Sequence, residues 1–185
     1  MLPPPELYIQ LGVVNLIIKK VSEKYGQQNM DNYLTSQNIH REDFRGGDLN
    51  GNNCAKFLER LPFLEQNLPK EGHGYIAALK AFDKVRHSCF GMTLSDSFKE
   101  DIKEFETIFQ SLDISKTPKV HILVDHVPEF CAKKGKPLGF YPEQASESVH
   151  ADFKRTWDYF KRNNDNPSFG SALYRAVLRY NKKHN

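Results

Sequence analysis

The chain has 185 residues, of which 39% are hydrophobic and 26% charged, and its formal net charge is +3. That is enough for one domain with a full core, and the small basic excess does not by itself mark a nucleic-acid binder. Three cysteines (Cys54, Cys89, Cys131) without a CxxC spacing exclude a disulfide scaffold and a zinc ribbon.

Punctuation and helical period organise nearly everything. After Pro3-Pro4-Pro5, Leu7, Leu11, Val14, Ile17, Ile18 and Val21 form an apolar stripe that Gly26 should end. Its charges follow the apolar run, which is not the order of a signal peptide. No apolar run has the length of a membrane span, so the expected location is nuclear or cytoplasmic, with no membrane partner and no secretion.

Met30, Tyr33 and Leu34 suggest a short second helix. Residues 40–53 (HREDFRGGDLNGNN) read as a loop. Asn52 or Asn53 would cap a helix carrying Cys54, Phe57, Leu58 and Leu61. Pro62 and Pro69 bracket what reads as a connector, and His73, between two glycines, reads as an exposed loop residue.

Four helices should follow. The first carries Tyr75, Ala78, Leu79, Phe82 and Val85 and closes near Gly91. The second starts at Ser95 as N-cap and carries Phe98, Ile102, Phe105 and Phe109. The third starts at Thr117 with Pro118 in its first position, and Pro128 should kink it or end it early. The fourth starts at Pro142 and carries Ala145, Val149, Phe153, Trp157 and Phe160. A last helix begins with Asn166 as cap and Pro167, and turns Phe169, Leu173, Val177 and Leu178 to one side.

The one β-branched run, Val120 to Val124, follows a Thr-Pro helix start, and no alternating strand is present. The expected fold is therefore all-α, an irregular orthogonal bundle of about seven to eight helices. It should form a single helical domain over residues 1–185, or at most divide into N-terminal helices 1–62 and a main bundle 69–185. No glycine-rich phosphate loop occurs, so no organic cofactor is implied.

Two patterns carry chemistry. Residues 119–152 concentrate His121, Asp125, His126, Glu129, Glu143, Glu147, His150 and Asp152. The spacing of Glu143, Glu147 and His150 (i, i+4, i+7) puts them on one helical face. His121 and Asp125 are i, i+4 on the preceding helix. If the two faces met, imidazole and carboxylate would suit a divalent metal such as Mg, Mn or Zn, and a phosphoesterase or nuclease would follow. Against this, a single histidine is more often structural than a ligand, and Glu143 in a first helical turn interacts well with the helix dipole whatever its role.

The second pattern is charge. Residues 95–113 hold six acids against two lysines, and residues 151–185 hold eight bases against three acids. The bases are Lys154, Arg155, Lys161, Arg162, Arg175, Arg179, Lys182 and Lys183, with the rings of Trp157 and Tyr159 nearby. They are either a solvated face or a phosphate-contacting stripe.

TPKVHILVDHVPEF (117–130), then a glycine-containing turn, then YPEQASESVHADF (141–153) and a tryptophan helix resemble the C-terminal part of eukaryotic DDE-type DNA transposases. PPPELYIQLG (3–12) and GGDLNGNNC (46–54) are similar to segments of transposon-derived invertebrate proteins, although Tyr8 stands where those relatives tend to have histidine. The resemblance implies Glu147, then Glu143, as the third acid of the triad. Two metal ions about 4 Å apart must be held by such acids, and the first two aspartates of the triad sit on strands that this chain does not show. The resemblance thus implies a transposase-derived binding module, the insertion domain and last helices without the catalytic half, whose partner is DNA or a protein.

Overall fold

The computed structural model describes residues 3–43, 46–141, 155–160 and 166–184. Helices account for the regular structure, and the described residues contain no strand, only an isolated antiparallel bridge between Glu42 and Asp48. The fold is an all-α bundle, as the periodicity predicts. The backbone forms two compact units, residues 1–141 and 142–185, described separately below. The segment between Pro62 and Pro69 lies inside the first unit.

Helix α1 (Glu6–Tyr25) follows the prolines, whose fixed φ sets an extended lead-in at Pro5, and it stops at Gly26 with φ +99°, a backbone that a Cβ would strain. Ile9, Val13, Val14, Ile17, Ile18 and Val21 are its buried face. Leu7, placed in that stripe by spacing, is 40% exposed, because it lies in the first turn, where its methyl covers Gly51. Helix α2 (Gln27–Ser36) buries Met30, Tyr33 and Leu34, and the Tyr33 hydroxyl donates to the Arg60 carbonyl at 2.7 Å.

The loop that follows is less superficial than its polarity suggests. Leu49 is fully buried, and Gly46 and Gly47 supply the positive φ angles (+66° and +85°) that turn the chain back. Asn50, not Asn52 or Asn53, caps α3 (Gly51–Glu59): its side chain accepts from the Asn53 N–H at 2.9 Å. Several asparagines in a row make such caps ambiguous in sequence. Between the two prolines runs a helix, α4 (Leu61–Asn67), with Pro62 in its first turn. The expectation of a connector was wrong because proline at a helix start sacrifices an N–H that would be unbonded anyway.

Helix α5 (His73–Val85) begins at His73, a half-buried helical residue and not an exposed loop one. It runs on through a wide π-type turn, Arg86–Phe90, to Gly91. Helix α6 (Phe98–Gln110) starts later than Ser95. The Ser95 hydroxyl instead accepts from Ser97 N–H at 3.3 Å, and Ser97 Oγ donates to Asp101. Helices α5 and α6 meet through Phe82 and Phe105, with ring centroids 5.8 Å apart, and Phe105 stacks on to Phe109 at 5.6 Å. Large rings bury about 150–250 Å² each and dominate such a core.

Helix α7 (Pro118–His121) begins as predicted, with the Thr117 side chain accepting from Val120 N–H. Pro128 does not end the helical path. A π-type turn over Ile122–His126 precedes it, and α8 (Val127–Lys134) continues with Pro128 in its first turn. The wider turn accommodates both the missing N–H and the bulk of the ring. Gly135, at φ +61°, closes α8. In the short turn Leu138–Phe140, Gly139 lies against the carbonyl oxygens of Phe90 and Gly91, where a Cβ has no room.

Of the second unit, residues 155–160 are helical (α9). Asn166 Oδ1 accepts from Ser168 N–H at 2.9 Å and leads into α10 (Phe169–His184). The predicted start of a helix at Pro142 lies outside the described residues.

Candidate functional site

The π-type turn sets the histidine cluster. His121 ends α7, and Asp125 and His126 lie within the following turn, so the three side chains stand together on an exposed surface. His121 Nδ1 is 2.6 Å from Asp125 Oδ2, and the His121 and His126 rings meet edge-on with centroids 4.9 Å apart. Asp125 Oδ2 also accepts from Lys116 Nζ at 2.8 Å, and Lys116 lies 3.6 Å from Glu106 of α6. The Lys116 hydrogen bond, joined by that of His121, holds the Asp125 carboxyl below its ordinary range.

This arrangement brings together three of the residues singled out in the sequence. The carboxylate ties the loop before α7 to the turn after it. Among the described residues no group of three or more His, Cys, Asp or Glu side chains is placed to hold a metal ion. Glu143, Glu147 and His150, the other half of the sequence-predicted set, lie outside the described residues, as do Lys154, Lys161 and Arg162.

The basic set resolves further. Helix α10 (FGSALYRAVLRYNKKH) contains no acidic residue in 16 positions. Arg175, Arg179 and Lys182 are exposed and spaced i, i+4, i+7, which places them on one side of the helix. Among the described residues no carboxylate pairs with any of the three. Lys183 also lies on α10, and Arg155 is exposed at the start of α9. The Arg179 guanidinium sits over the Tyr159 ring, 5.0 Å from its centroid, and 5.9 Å from that of Phe160. Ala172 and Ala176 are the buried side of α10.

The acids of α6 present the opposite case. Glu104 accepts from Lys84 at 2.9 Å and Glu106 neighbours Lys116, so part of that negative charge is matched within the first unit.

Two features had no forecast. An open cleft of about 550 Å³ is lined by Tyr25, Asn29, Asn32, Tyr33, Ser36 and Asn67 among others, with no charged group in its wall. Its Tyr25 hydroxyl is buried without a hydrogen-bond partner among the described residues. The run of amides in α2 was a compositional signal, but Asn67 comes from α4, which the sequence did not reveal. The second feature is a pair of buried thiols. The neighbouring Cys131 thiol and burial raise Cys89 above the usual thiol range, and the Cys89 thiol donates to the Val85 carbonyl at 3.3 Å. Cys54 is buried too and pushed up to about 12 by desolvation.

No helix among the described residues is long and apolar enough to cross a membrane. Comparison with protein-family models, with curated proteins and with solved structures finds no match to this chain.

Proposed function

We propose that the chain is a nucleic-acid-binding helical module, transposase-derived and without a complete catalytic core, that holds phosphates along α10. The observation that carries this reading is the acid-free helix whose exposed Arg175, Arg179 and Lys182 share one side without carboxylate partners among the described residues. Unmatched cations in a row neutralise successive phosphates and release condensed counterions, which is the main source of sequence-independent affinity. Arg155 and Lys183, with Lys154 just before Arg155 and Lys161 and Arg162 between the two helices in sequence, add to the same basic segment. The motif resemblance supports the origin, and the all-α backbone of the described residues supports a module without the strand-borne acids.

The test is fluorescence anisotropy with labelled DNA between about 50 and 200 mM salt. Each phosphate contact contributes about −0.9 to the slope of log K against log[salt]. Three contacts from α10 give a slope near −2.7 on that rule, and Arg175→Glu, Arg179→Glu and Lys182→Glu together should abolish binding. Affinity indifferent to salt, or no binding, ends this reading.

A second reading, a divalent-cation site with phosphoesterase activity, is favoured by the His121–Asp125 pair, since a carboxylate on Nδ1 orients an imidazole and leaves Nε2 available to a metal. Equilibrium dialysis with Zn²⁺ tests it. Stoichiometric binding lost in both His121→Ala and Glu147→Ala supports the site, and binding indifferent to both removes it.

A further inference from the structure

We infer that the nucleic acid recognised by α10 is single-stranded, held by a cationic strip between two exposed tyrosines. The inference rests on the nucleic-acid reading above and narrows its substrate class. On a helix of 3.6 residues per turn, Tyr174, Leu178 and Lys182 form one row and Arg175 and Arg179 the adjacent row. Ala172 and Ala176, both buried, border this arc at its Arg179 edge. The exposed arc therefore reads, in order around the helix, Tyr174 and Leu178, then Lys182 and Arg175, then Arg179 with the Tyr159 ring beneath it.

Tyr159 is 74% and Tyr174 64% exposed, and Leu178 is 49% exposed. Cations alone would serve a duplex, whose phosphates face outward and whose base faces are stacked inside. Exposed ring faces gain nothing from a duplex, because no base face is offered to them. They gain from an unpaired strand, whose bases stack on aromatic side chains while Lys and Arg follow the backbone. Arg179 reinforces this at Tyr159: it stacks on the ring at 5.0 Å, Phe160 meets that ring edge-on at 5.1 Å, and the tyrosine still keeps most of its surface open to a base. Leu178 between the cations and Tyr174 gives the sugar or base edge an apolar contact that a phosphate could not use. Charge complementarity and ring exposure thus select the same occupant.

The experiment compares the full chain with an oligothymidylate of twenty nucleotides, an RNA of the same length without secondary structure, a duplex of that length, and poly-glutamate. The expected order is single strand tighter than duplex by at least about tenfold, with poly-glutamate no ligand. Stacking is worth about 1–3 kcal/mol per base, so Tyr159→Ala and Tyr174→Ala should each weaken single-strand binding about 5- to 150-fold. Both should leave the salt slope and the duplex affinity unchanged, and Tyr159→Phe and Tyr174→Phe should restore binding. Both tyrosines are exposed, so these variants keep the fold. A duplex bound as tightly as the single strand, or alanine variants that bind like the parent, overturns this inference and leaves the nucleic-acid reading standing. Loss of all nucleic-acid binding overturns both, and avid poly-glutamate binding reassigns the surface to an acidic polypeptide.

Discussion

Asn15 and Leu49 are joined by two hydrogen bonds inside the core: the Asn15 side-chain N–H donates to the Leu49 carbonyl at 3.1 Å, and the Leu49 N–H donates to Asn15 Oδ1 at 2.8 Å. A helical side chain here satisfies both backbone groups of a buried loop residue. Replacing Asn15 by leucine keeps the branching, leaves the buried Leu49 N–H unpaired and leaves the Leu49 carbonyl only the long Cys54 thiol contact at 3.8 Å, and a fully unpaired buried group costs about 1–3 kcal/mol. The expected outcome is a loss of about 2–4 kcal/mol, read as a lower urea midpoint at unchanged m-value.

Lys119 lies across Gly12. Its methylene stem occupies the place of a Cβ there, and its Nζ stands 4.2 Å from the centre of the Tyr8 ring. Gly12→Ala should gain about 1 kcal/mol of helix propensity yet lose more by displacing Lys119, for a net cost of about 1 kcal/mol. In a Lys119→Ala background the same substitution should be neutral or stabilising. The two denaturation differences measured in one cycle give the coupling, and equal effects in both backgrounds would refute the contact.

Asp125 sets a pH dependence of known sign. Its carboxyl is held below the ordinary aspartate range in the folded chain, first by the hydrogen bond from Lys116. A depressed carboxylate contributes stability that is complete above the unfolded value and is lost as pH falls through the lower folded one. Asp125→Asn should therefore be less stable than the parent near neutral pH and equal to it in strong acid. Lys116 and Asp125 are 41% and 43% exposed, so solvent screening keeps the difference below about 1 kcal/mol, and molar salt should shrink it. Thermal unfolding of both chains across pH makes the comparison.

The three thiols should be silent in the native chain. Cys54, Cys89 and Cys131 are fully buried, and Cys54 titrates at about 12. At mildly alkaline pH, alkylation should proceed no faster than unfolding and should modify all three cysteines once guanidinium is added. Mass spectrometry over time distinguishes this from a fast-reacting exposed thiol.

Legibility followed the range of the interaction. The stripe of α1, the Thr117–Pro118 start of α7 and the stop at Gly26 were readable because each depends on neighbours within a turn or two. Helix α4 was missed because two prolines look like breaks until the first is known to be in a helix's opening turn. The cap of α3 was shifted because Asn50, Asn52 and Asn53 carry the same side chain. Of the candidate site, the i, i+4 pairing of His121 with Asp125 was legible. The capture of Asp125 by Lys116, nine positions away across a turn, was not.

By itself the sequence determined an all-α chain, the segregation of acid in residues 95–113 and base after residue 151, and the faces that helical spacing builds. These depend on local propensity and on period, which need no knowledge of neighbours. Only the tertiary structure decided that Leu49 is interior, that Gly12 makes room for Lys119, that Asp125 answers a lysine, and that Arg179 rests on the Tyr159 ring beside exposed cations. Each of those depends on groups far apart in the chain meeting in space, where burial and charge pairing act on distance and not on sequence order.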